Sequence, residues 1–131
     1  MITKDVAIAE VIKWLDNKRV SQTKREELEK NIETIASAIE RGDLVLNADC
    51  SLTQKLLFPL PSENGDVKEL THKARVALGT IHLHMQGVKT GDVDGRLTAY
   101  VAAVSGNPKE LIKKMDTEDY SIALAIALFF A

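Results

Sequence analysis

The chain has 131 residues, 45% hydrophobic and 27% charged, with 17 basic and 19 acidic side chains. That length and balance suit one globular domain and exclude a disordered chain. A net charge of −2 lacks the basic excess that phosphate binding draws on, so no nucleic-acid partner is expected, and the lone Cys50 excludes an intrachain disulfide or a cysteine metal site.

Thr3 can cap a first helix whose Ile8, Val11, Ile12 and Leu15 recur at i, i+3, i+4, i+7 and form one apolar face. Asn17 to Val20 is a polar break. Thr23 and Glu26 then read as a capping box for a second helix, with Leu28, Ile32, Ile35, Ala36 and Ile39 on its stripe and Gly42 at its left-handed C-cap. Residues 3–42 thus read as a helical hairpin with one apolar side. As a DNA-reading helix-turn-helix it is poor, because Glu26, Glu27, Glu29 and Glu33 would face phosphates.

Residues 43–50 form a connector, partly extended at Leu44 to Leu46. In 51–60 the period becomes two: Leu52, Leu56, Phe58 and Leu60 share a face, Thr53 and Lys55 the other, and Pro59 marks a strand edge or end. The turn around Asn64-Gly65 leads to a second strand at 67–71, which completes a β-hairpin over about 51–72. From Lys73 to Gln86, Ala74, Ala77, Leu78, Ile81 and Met85 fit a helical stripe, favoured on length over the strand alternation that Ile81, Leu83 and Met85 also show. Gly87, Gly91 and Gly95 mark a loop, and Asp92 or Asp94 starts a helix that ends at Gly106. Asn107-Pro108-Lys109-Glu110 restarts one, and Asp116-Thr117 caps the last, with Glu118 and Asp119 in its positive first turn. The expected fold is α+β and mostly helical, a single domain over 1–131 with the helical hairpin, one β-hairpin, then three to four helices.

The last ten residues, Ile122 to Ala131, are all apolar. A helix without a polar face needs cover from its own domain, from a second copy or from a client. Ten residues are too few for a bilayer, which takes ~20, so no membrane partner is expected.

Residues that carry chemistry elsewhere have plain explanations here. His82 and His84 point in different directions on a helix and lack a third ligand. Cys50 has no basic neighbour to activate it as a nucleophile. The Gly87, Gly91, Gly95 series lacks the closing Gly-Lys-Ser/Thr of a phosphate loop, and Asp92 and Asp94 lack the glutamate of a calcium loop. Capping accounts for Asp116, Glu118 and Asp119. No catalytic residue, metal or cofactor is expected, and the chain reads as a binding or structural module, not an enzyme. Met-Ile-Thr-Lys-Asp has no signal-peptide layout, so the expected setting is cytoplasmic.

Residues 51–131 carry a series of short motifs in order: Leu56-Leu57-Phe58-Pro59, Asn64-Gly65, Glu69-Leu70-Thr71 with Lys73 and Arg75, Val104-Ser105-Gly106-Asn107-Pro108, Met115 to Tyr120, and Phe129-Phe130. In order and spacing this resembles the tail assembly chaperones of long-tailed bacteriophages, with a helical hairpin added in front. The resemblance implies a non-enzymatic protein of the host bacterial cytoplasm that coats the tape-measure protein before the tail tube polymerises, with the tail tube protein as a second candidate partner. A small helical protein can hold such a client helix-in-groove through apolar anchors. Tyr120, Leu124, Leu128, Phe129 and Phe130 are the first candidate surface, and the stripe of the hairpin is the second. The alternatives are a self-associating structural phage or prophage protein, a homo-oligomer through the same apolar end, and a small helical transcription regulator.

Overall fold

The computed structural model describes residues 2–131. The fold is α+β and mostly helical. Helix α1 (Lys4–Lys18) begins at Thr3, whose hydroxyl accepts from Val6 N, and ends at Arg19 in the left-handed conformation. The second limb of the hairpin is broken in two: α2 (Gln22–Glu27) and α3 (Glu29–Glu40) meet at Leu28. The expected capping box is corrected here. Ser21, not Thr23, is the N-cap of α2, accepting from Lys24 N at 3.2 Å, and the Glu26 carboxylate takes Gln22 Nε2 instead. Starting the helix two residues earlier satisfies the same free N–H groups. Gly42, at φ +82°, closes α3, with Asp43 N donating to Ala38 O.

Strand β1 (Leu44–Leu46) lies in the expected connector and pairs antiparallel with β2 (Leu52–Leu60), which also pairs with β3 (Val67–His72). The sheet order β1-β2-β3 puts the long strand in the middle. One face packs on the helices through Leu52, Leu60 and Leu70. Phe58 departs from the expected apolar face: it is 58% exposed. The β2–β3 register slips between Lys55 and Leu60, and a slipped ladder breaks the strict alternation of faces.

Helix α4 (Leu78–Met85) begins five residues after Lys73, so Leu78 lies exposed at its first turn instead of on a buried stripe. Helix α5 (Val93–Ser105) takes Asp92 as its N-cap; Gly95 belongs to this helix, not to the preceding loop, and donates its N–H to Asp92 Oδ1. The restart at Pro108 is a single turn, α6 (Lys109–Ile112), without a side-chain cap, because Asn107 Nδ2 turns back to Ser105 O. Helix α7 (Thr117–Ala127), capped by Asp116, runs into a closing 3₁₀ turn at Leu128–Phe130.

Helix α7 is the strut of the molecule. It packs against α3, α5 and β2. Ile122, Ala123, Ala125, Ile126 and Ala127 are buried, as are Ala99, Ala102 and Ala103 of α5. Small side chains on both helices let their axes approach closely, which closes a core running from Ala7 to Phe129. Of the three kinds of cover that an all-apolar helix needs, its own domain supplies it here.

Candidate functional site

The terminal surface expected from sequence is core or core margin. Phe129 is 3% exposed, with its ring edge-on to Trp14 at 5.5 Å between centroids and 84° between planes. Phe130 flanks the same indole at 6.5 Å. Tyr120, Leu124, Leu128 and Phe130 are half-buried, and all but Leu128 are packed on the main core. Cations then tie the segment down. Lys18 Nζ stands 3.3 Å from the Phe130 ring centroid, and Lys24 Nζ donates to Ala131 O at 2.8 Å. Burial, with repulsion from Arg75 and Lys24, holds Lys18 down to about 8. These five residues therefore do not form an open surface. The physical reason is that a helix able to bury its apolar sides against α3, α5 and β2 of its own chain does so without the entropic cost of association.

A buried polar chain crosses the core behind β2. His72 Nε2 lies 2.8 Å from Gln54 Oε1, and Gln54 Nε2 donates to Asp119 O at 2.9 Å. The Asp119 carboxylate accepts from Leu57 N at 2.9 Å and Phe58 N at 3.0 Å, the backbone groups stranded by the register slip. Asp119 is 1% exposed, so helix capping does not account for it; it fastens β2 to α7. With Gln54 donating to the peptide oxygen, its Oε1 must receive His72 Nε2–H, and His72 Nδ1 is left a bare acceptor without a partner. A proton there would be a buried charge facing nothing polar.

Burial accordingly pushes His72 down to about 4 from its ordinary 6.5. The unfolded chain takes up this proton first as pH falls. The His72 contribution is thus complete above pH ~6.5 and is lost on descent towards ~4, costing about 3 kcal/mol in all. Urea unfolding at a series of pH values should show that loss, and His72→Gln should flatten this part of the profile relative to the parent.

Two surface features lie outside this frame. A groove of about 520 Å³ runs between α1 and α3, with Ile8, Ile32 and Ala36 in its floor and Glu29, Glu33 and Glu40 along it. Ile12, one turn on from Ile8, is 45% exposed, so the apolar stripe of α1 is wider than the core that covers it. This is the second surface expected from sequence. From sequence Glu29 and Glu33 count against a DNA surface, and Glu40 carries no expected role. Their spacing around Ile32 and Ala36 was the signal that marks them as neighbours on one helix face. The second feature is a smaller hollow of about 280 Å³ between α4 and α5, lined by Leu78, Ile81, His82, Met85 and Tyr100. Leu78 and Leu83 of α4 are 67% and 61% exposed.

The remaining polar candidates sit apart. His82 is exposed, while His84 Nδ1 meets Thr80 O at 2.9 Å within its own helix. Cys50 is buried in a tight turn at φ +66°. Among the described residues no three His, Cys, Asp or Glu side chains converge as a metal site, and no helix is long and apolar enough to cross a membrane. No protein family, no characterised protein and no solved structure matches the chain.

Proposed function

We propose that this chain is a non-enzymatic assembly chaperone of the phage-tail class, which holds hydrophobic helical segments of a tape-measure protein in the host cytoplasm until the tail tube polymerises around them. The observation that carries this reading is the partly covered apolar ridge of the amino-terminal hairpin, where Ile12 is exposed and Ile8 and Ile32 are half-buried beside a three-turn groove. The motif order in residues 51–131 supports the same class. The terminal helix takes a different part in this reading from the one its composition suggests: it builds the platform, and the hairpin presents the binding face.

A groove on two rigid helices can take an amphipathic client helix by its apolar edge. The contact area is small, so each engagement is weak and reversible. Repetition along a long client converts weak contacts into coverage, and an arriving tube subunit can displace them one at a time.

Co-expression with a tape-measure fragment tests the reading. The chain is expected to co-purify with the fragment and keep it in solution. Ile12→Asp, at an exposed position, should abolish co-purification while leaving the far-UV circular dichroism unchanged. A discrete oligomer that ignores the fragment would overturn the proposal in favour of a structural subunit.

A further inference from the structure

Helix α3 presents Glu29, Ile32, Glu33, Ala36, Ser37 and Glu40 to the α1 groove. These positions recur at i, i+3, i+4, i+7, i+8, i+11 and form one continuous ridge. At 1.5 Å per residue it is about 16 Å long, three helical turns. Its chemistry is uneven: the floor is aliphatic and the flank carries three carboxylates, against which Lys4 is the one cation lining the groove. The ion pairs among the described residues join Arg25 to Asp16, Arg41 to Asp43 and Lys113 to Glu110, and so leave these three glutamates out.

We propose that the α1–α3 groove is a docking site for a basic amphipathic helix of about three turns, with leucine-like side chains on one edge and lysine or arginine beside them. This rests on the chaperone reading and specifies the client chemistry at its binding face. Charge complementarity selects the occupant. An acidic helix would set carboxylates against Glu29, Glu33 and Glu40, and phosphate surfaces are repelled for the same reason. A second copy of this chain is a poor fit. Its most exposed apolar helix, α4, spans eight residues, about 12 Å, and covers less than the ridge. Long basic side chains also suit the geometry, since their methylene stems can lie on Ile32 and Ala36 while the charged ends reach the carboxylates.

The test uses two synthetic peptides of about sixteen residues with leucines at i, i+3, i+4, i+7. One carries lysine at the remaining positions and the other glutamate. Fluorescence anisotropy with the full chain should show binding of the lysine peptide, weakened as salt rises, and none of the glutamate peptide. The triple variant Glu29→Gln, Glu33→Gln, Glu40→Gln should bind the lysine peptide about tenfold more weakly or worse. If that variant melts earlier than the parent, Glu33→Lys, an exposed change midway along the ridge, carries the same comparison. Equal binding of both peptides, or unchanged binding by the folded variants, overturns the proposal. So does a dimer that forms without peptide and is dispersed by Glu33→Lys. A lysine peptide that fails while the tape-measure fragment is still held soluble overturns this groove chemistry alone; loss of both overturns the chaperone reading as well.

Discussion

Phe129→Asp, alone or combined with Phe130→Asp, is expected to abolish the cooperative fold. The Phe129 ring is 3% exposed and edge-on to Trp14. Removing a buried aromatic ring costs about 3–5 kcal/mol. A carboxylate in its place would carry its charge at a site only 3% exposed, so a desolvation penalty is added. Domains of this size are stable by about 5–15 kcal/mol, and the sum consumes most of that margin. Near-ultraviolet circular dichroism should lose its fine structure, and urea should give no sigmoidal transition. A double variant that unfolds at the parent midpoint would remove Phe129 from the core and restore the terminal segment as an open surface.

Asp119→Ala is expected to cost about 4 kcal/mol. Two charge-assisted hydrogen bonds, to Leu57 N and Phe58 N, are lost together at a site 1% exposed, and each is worth about 1.5–3 kcal/mol. Asp119→Asn keeps one acceptor oxygen and should cost roughly half as much. Urea midpoints rank the three proteins. Amide exchange locates the effect, because the Leu57 and Phe58 N–H groups should lose protection first in Asp119→Ala. Exchange unchanged at those two amides would mean that the carboxylate does not hold the strand.

The helices were legible because their apolar residues recur at helical spacing and their caps are short-range chemistry: Thr3, Asp92, Gly106 and Asp116 all act within a few residues of where they stand. The β2–β3 hairpin was legible from period two. Three features were not. Phe58 sits within a register slip, and a period-two reading assumes an unbroken ladder. Gln54 and His72 belong to no recognisable motif, yet they are buried because His72 Nε2 and Gln54 Oε1 pair across 18 positions of sequence. Asp119 stands in the first turn of α7, where local pattern reads it as part of the cap, but its carboxylate holds β2, which local pattern hides. The terminal helix shows the same limit at larger scale. Its lack of a polar face requires cover, but only the fold decides that α3 and α5 provide it. The apolar surface that α1 and α3 leave partly exposed is where the stripe is broader than its partner.

The stacking of Trp14 against Phe129 has a consequence for biosynthesis. A ribosome releases α1 well before the turn at Leu128–Phe130, so the indole has no aromatic lid until α2 to α7 have emerged. Early folding intermediates therefore leave the Trp14 ring without its aromatic partner, and final consolidation waits on a contact between residues 115 positions apart in sequence. Translation arrest upstream of residue 129 would leave a nascent species open to proteolysis, and the single tryptophan's emission would report the moment of closure.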